Sequence, residues 1–100
     1  MESMRLYPPA WIVGRRALAP YPVAGWELPA GTLLFASQLV VHRDPRWWPD
    51  PETFDPNRFI GDAAKDRPRS AYLPFGGGPR VCIGNHFAMM EAKLLLAQRH

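Results

Sequence analysis

Phe75-Gly-Gly-Gly-Pro-Arg-Val-Cys-Ile-Gly84 gathers three consecutive glycines, a proline, an arginine and the chain's only cysteine into one short stretch. Gly76, Gly77 and Gly78 open backbone angles that other residues avoid. Pro79 fixes its own φ and gives up an N–H. Arg80 offers a planar fork of donors suited to a carboxylate or phosphate. Cys82 stands two residues before Gly84, and a helical pattern begins near Asn85. A thiol close to a helix N-terminus lies in the positive end of the dipole, which favours thiolate, a soft metal ligand. The stretch therefore reads as a loop that presents one sulfur to one metal.

Other readings of the loop stay open on residues alone. A phosphate loop wants a Gly-Lys-Ser/Thr ending, which is absent. A zinc site wants about four ligands. Cys82 and His86, four apart, could share a helix face, but His42 and His100 have no matching spacing. A catalytic Cys–His pair also wants an orienting third group. A buried cysteine in a structural turn is the plain alternative.

Outward from the loop, the chain is one small domain at most: 100 residues, twelve of them proline, with a net charge of +3. Acids and bases are interspersed, so no nucleic-acid-binding stripe is expected. One cysteine excludes an internal disulfide and fits a reducing compartment such as the cytoplasm. No apolar run reaches the roughly 20 residues that span a bilayer.

Met1 to Leu6 forms one helical turn, stopped by Tyr7-Pro8-Pro9. Arg15 to Leu18 and Tyr21 to Glu27 read as short strands, and Thr32 to Val41 as the best strand, with Leu33, Phe35, Leu39 and Val41 apolar. His42 to Phe59 is too proline-rich for long regular structure. Gly61 to Ser70 reads as a charged, mobile surface loop. From Asn85 to His100 the stripe Phe87, Met90, Leu94 and Ala97, widened by Ala88, Ala92 and Leu95, predicts a core helix. Glu2 and Arg5, three apart, are a helix-surface pair, and Arg58 alone reads as a surface arginine.

These residues together resemble the cytochrome P-450 haem-thiolate monooxygenases. Phe75 to Gly84 is similar to the family's haem-binding signature Phe-x-x-Gly-x-Arg-x-Cys-x-Gly at every fixed position. Glu2-Ser-Met-Arg5 resembles the Glu-x-x-Arg motif of helix K, and Pro56-Asn-Arg-Phe59 the later arginine motif. His42-Arg-Asp-Pro45 and Trp48-Pro-Asp-Pro51 match the region between them in order and spacing. The resemblance implies an α+β fragment, mainly α with a small β-sheet. It is the C-terminal haem-ligating part of the P-450 fold, covering residues 1–100: helix K end and strands 1–41, meander 42–74, haem-binding loop 75–84, helix L 85–100. In the family such motifs fill about the last quarter of a much longer protein. Helix K is then cut at its final turns by Met1, and the oxygen-activating helix I has no counterpart.

The resemblance also implies roles. Cys82 is the axial thiolate ligand of haem b iron, pushing electron density to the metal, with backbone N–H groups aimed at the sulfur. Phe75 shields the sulfur, Arg80 pairs with a haem propionate, and Gly84 lets backbone pass the porphyrin face. Arg15 or Arg16 is a weaker candidate for a propionate. Ala10, Trp11 and Ile12 line the substrate side. Glu2, Arg5 and Arg58 form a buried structural charge triad. Arg80, His86, Lys93 and Arg99 contribute to a basic surface that meets an electron donor, a ferredoxin or flavoprotein reductase. The implied reaction inserts one atom of O₂ into a small organic substrate, with independent activity of these residues not expected. The competing expectations are a non-catalytic remnant without haem and a small zinc- or phosphate-binding module.

Overall fold

The computed structural model describes residues 1–99. Its elements run α1 (Glu2–Leu6), β1 (Val13–Arg16), β2 (Tyr21–Val23), β3 (Trp26–Leu28), β4 (Leu33–Ala36), α2 (Gln38–Val41), α3 (Asp62–Lys65) and α4 (Asn85–Gln98), with 3₁₀ turns at Pro56–Phe59, Arg69–Ala71 and Gly78–Arg80. The strands form two separate antiparallel ribbons. β1 pairs with β4, Val13 opposite Ala36 and Arg16 opposite Leu33. β2 pairs with β3, Tyr21 opposite Leu28.

Three strand expectations change. The strand read at Arg15 to Leu18 lies two residues earlier, at Val13–Arg16, with Ala17 and Leu18 beyond it. Tyr21 to Glu27 folds back on itself as a hairpin, because Ala24 (φ 48°) and Gly25 (φ 84°) both take left-handed angles and reverse the chain. Thr32 to Val41 is a strand only through Ala36. Ser37 then accepts the Val40 N–H on its Oγ at 3.4 Å and starts the turn of helix α2. That cap outcompetes the β pattern of Leu39 and Val41. The 61–70 segment is likewise more than a loop: it holds α3 and most of a 3₁₀ turn.

The packed centre is small and half polar. Leu6, Trp48 and Ala71 are its buried apolar residues, joined by Glu2, Arg5, Gln38 and His42. Trp48 donates from Nε1 to the Ala71 carbonyl at 3.1 Å. Around it, His42, Phe59 and Tyr72 complete an aromatic cluster, with Phe59 and Tyr72 edge to face at 4.9 Å. The Arg67 guanidinium caps the Trp48 ring at 3.7 Å and donates to the Trp47 and Arg58 carbonyls. This core ties α1 to the proline-rich 42–74 segment and so fixes the floor on which the cysteine loop sits.

Helix α4 forms where the apolar periodicity predicts it, but the core role does not hold: none of its residues through Gln98 is buried. Phe87, Met90, Leu94, Leu95 and Leu96 are all exposed. Apolar residues run nearly all round this helix, so it has no single face to lay on the small 1–74 core. No helix among the described residues is long and apolar enough to cross a membrane.

Candidate functional site

The site rests on a buried ion cluster. Arg5 grips Glu2 with two parallel bonds, Nε to Oε2 at 2.8 Å and Nη2 to Oε1 at 2.6 Å. The remaining Arg5 donors reach the carbonyls of His42, Pro51 and Thr53. Arg58 Nε lies 3.4 Å from Glu2 Oε1. Its terminal nitrogens donate to the carbonyls of Pro49, Asp50 and Thr53. The Asp55 N–H donates to the same Glu2 oxygen. Burial pushes the Glu2 carboxyl up, but these donors and the two guanidinium charges outweigh it and hold it below the usual carboxylate range. Arg58 is therefore no surface arginine: only 9 % of its side chain is exposed. The cluster clamps α1 to residues 42–58 from both ends.

His42 is the residue that spacing arguments passed over. It is fully buried. Its Nδ1 lies 3.2 Å from the Arg5 carbonyl, and its Nε2 accepts the Leu73 N–H at 2.8 Å. A ring nitrogen facing a carbonyl must carry the proton, and one facing an N–H must not, so the ring is the neutral Nδ1–H tautomer. Burial lowers its pKa, and the charges of Arg5 and Arg43 add to that, against bonds to the Arg5 and Met4 carbonyls. The signal in the sequence is weak: a histidine following an apolar run, in the stretch His42-Arg-Asp-Pro45.

The cysteine loop leaves this floor at Leu73. Gly76 N–H donates to the Leu73 carbonyl at 3.2 Å, Val81 N–H to Gly78 at 3.2 Å, and Cys82 N–H to Phe75 at 2.9 Å. The last bond closes the loop into a ring with Cys82 at its end. Gly76 (φ 76°) and Gly78 (φ 69°) take left-handed angles, while Gly77 is extended. Pro79 opens a 3₁₀ turn, where its missing N–H is not needed. Gly84 then caps α4, and Ala88 N–H bonds back to it at 2.9 Å.

Cys82 is free and exposed. No N–H among the described residues is hydrogen-bonded to its Sγ, so the expected donors to sulfur are not in place here. A Cβ on Gly84 would meet that Sγ at 3.8 Å, an ordinary contact. Phe75 is half-buried and Arg80 exposed. Arg15 lies with Gly76, Gly77, Phe35 and Gln38 around a cleft of about 280 Å³ between the β1–β4 ribbon and the loop, a cleft that Arg16 does not line. Trp11 is exposed and its carbonyl accepts from Ser37 and Leu39. His86 and Lys93 are exposed along α4, and Arg99 is exposed at its C-cap. Cys82 lies ahead of the helix, so it shares no helical face with His86. Among the described residues, no three His, Cys, Asp or Glu side chains gather as a metal cluster would require.

An α+β chain with a buried Glu–Arg–Arg clamp, followed by a glycine loop that ends in one exposed cysteine and a helix, defines one class of protein. The family model described as Cytochrome P450 matches residues 1–99, and the chain belongs to that family. It is 48 % identical over 96 residues to the "Putative cytochrome P450 132" of Mycobacterium tuberculosis, covering 96 % of this chain and 21 % of that protein. It is 46 % identical to the cyclooctat-9-en-7-ol 5-monooxygenase of Streptomyces melanosporofaciens, covering 96 % of this chain and 21 % of that protein. It is 45 % identical over 95 residues to the thromboxane-A synthase of Sus scrofa, covering 95 % and 18 % of the two chains. The chain thus spans about a fifth of the length of the curated relatives it matches.

Proposed function

We propose that this chain is the haem-ligating part of a P450 monooxygenase, with Cys82 as the thiolate ligand of haem b iron. The reading is carried by one observation: a free, exposed thiol at the end of a hydrogen-bonded glycine ring. The residues present fit such a group. Val81 and Ile83, which flank Cys82 in the chain, and Phe87 in the first turn of α4 are all exposed and supply apolar surface suited to a flat macrocycle. Arg80 and Arg15, both exposed and both near the loop, supply guanidinium groups for propionates.

When bound, haem supplies the reductive activation of O₂ that lets an oxygen atom enter a small organic substrate. The chain's own residues prepare for it. Cys82 holds a sulfur donor, whose thiolate form is required for ligation. Phe75 closes the ring behind it and screens the sulfur. Gly84 keeps side-chain bulk off the adjoining face. Glu2, Arg5 and Arg58 hold the floor rigid without touching the cofactor. Arg80, Lys93 and Arg99, with His86, contribute the basic surface to which a ferredoxin or flavoprotein reductase would dock. In this reading residues 1–41 are the end of helix K with its strands, 42–74 the meander, 75–84 the ligand loop and Asn85–Gln98 helix L; His100, counted with that helix in the sequence reading, lies outside the described residues. The single free thiol fits a reducing compartment, the cytoplasm.

The test is spectroscopic. The purified chain, mixed with haem, reduced and exposed to CO, shows the red-shifted band of thiolate ligation, and Cys82→Ala abolishes it. A spectrum that does not depend on Cys82 overturns the assignment and leaves a chain that keeps the ligand loop without the cofactor.

A further inference from the structure

We propose that His42 is a positioning residue for the cysteine loop, coupling helix α1 to the backbone from which Cys82 projects. The proposal rests on the reading of Cys82 as a ligand, and it adds a residue that neither the signature loop nor the Glu–Arg–Arg clamp contains.

The connection is short and continuous. Arg5, held by Glu2, offers its carbonyl to His42 Nδ1. His42 Nε2 takes the Leu73 N–H at 2.8 Å. The Leu73 carbonyl takes the Gly76 N–H, the first bond inside the loop. Leu73 also touches the loop with its side chain: a Cβ built on Gly77 would stand 3.3 Å from Leu73 Cδ2. Phe75, between these residues, accepts from Cys82 N–H. The peptide unit at Leu73 is thus fixed on its N–H side by His42 before the glycines begin. Among the described residues His42 Nε2 is the partner of the Leu73 N–H, and the glycines that follow carry no side chain with which to anchor themselves.

The ring suits this task better than a flexible amide. Its two nitrogens point in opposite directions and bridge two backbones that are distant in sequence. Tyr72 packs against it, with ring centroids 5.2 Å apart and planes tilted by 33°. The Tyr72 hydroxyl itself donates to the Met1 carbonyl at 3.0 Å, so both neighbours of the bridge lead back to α1.

Amide hydrogen exchange on the purified chain separates positioning from mere stability. His42→Phe keeps an aromatic ring beside Tyr72 and removes both nitrogens. Exchange at Leu73, Gly76 and Cys82 should accelerate about tenfold relative to amides in α4, the cost of one buried hydrogen bond. Leu6→Ala, a core truncation on α1, serves as the stability control and should not single out these three amides. His42→Gln, which keeps a donor and an acceptor, should restore part of the protection. In the haem and CO assay, His42→Phe should lower the Cys82-dependent share of the spectrum while Leu6→Ala leaves it in place. Equal loop protection in wild type and His42→Phe overturns the proposal, as does the same loop-selective loss in Leu6→Ala. Should His42→Phe fail to fold, the wild type decides: a ¹⁵N coupling across the Leu73 N–H to Nε2 bond supports the bridge, and its absence overturns it. A CO spectrum indifferent to Cys82→Ala would remove the cofactor reading alone, since the exchange data still judge the loop.

Discussion

Glu2 is the one carboxylate among three guanidinium groups packed at the centre of this molecule, those of Arg5, Arg58 and, over Trp48, Arg67. Glu2→Gln keeps the shape and removes the charge, leaving Arg5 buried and uncompensated. It should cost about 3–5 kcal/mol in urea unfolding, more than an exposed pair such as Lys65–Asp62, worth about 0–1 kcal/mol. Three titrations bound the stability. His42 has a lowered pKa when folded, so the unfolded chain takes up its proton first. Stability from this residue is complete above pH 6.5, its ordinary value, and drains as pH falls below it. Glu2, also lowered, adds a second loss below its ordinary value of 4.5. Tyr72 is pushed up to about 12 by burial and the Glu2 charge, so its contribution is complete below pH 10 and disappears as pH rises through 12. Chemical denaturation across pH should show two acid steps, and His42→Phe should erase the upper one. At this scale the sequence was legible where a motif spans a short, rigid spacing: Glu2 with Arg5, and Phe75 through Gly84. His42 was not, because its partners are backbone groups 31 and 37 residues away, which no spacing rule reaches.

Among the elements, the glycine loop makes the sharpest prediction. Gly78 sits at φ 69° with open space where a Cβ would go, so Gly78→Ala suffers backbone strain alone, about 1–2 kcal/mol. Gly77 is extended, and its added methyl meets only Leu73 Cδ2 at 3.3 Å, the end of a flexible side chain. Gly77→Ala should therefore cost less than Gly78→Ala by thermal unfolding, although both lie in the same triplet. A sequence reader treats the three glycines alike; only the φ angles tell them apart. Helix boundaries were legible in the same partial way. α4 follows its periodicity to Gln98, but periodicity names no packing partner, and the stripe taken for core is exposed. α2 was hidden inside a strand pattern because one serine cap decides between two otherwise apolar readings.

At the scale of the whole molecule, the radius of gyration is 16.1 Å with extents of 52 × 29 × 20 Å. A close-packed chain of this length would measure about 13 Å. The elongation follows from a core drawn from residues between Glu2 and Tyr72, with α4 lying outside it. Leu94→Glu, on the exposed face of α4, should thus shift stability by no more than about 0.5 kcal/mol, whereas Trp48→Ala should cost about 3–5 kcal/mol. The same Leu94 change should lower binding of a hydrophobic dye. An order of unfolding events, read by tryptophan fluorescence against helical circular dichroism, should show two unequal transitions. The two β ribbons carry a different consequence. Each is only two strands wide, so every strand has one side with unpaired amides and carbonyls that can template a neighbouring chain. Pro22 removes a donor from β2, Glu27 charges its partner β3, and Arg15 and Arg16 place like charges along β1. The rim left without either guard is β4, Leu33-Leu-Phe-Ala36, which makes this short apolar strand the place where fibre-like pairing between copies would begin.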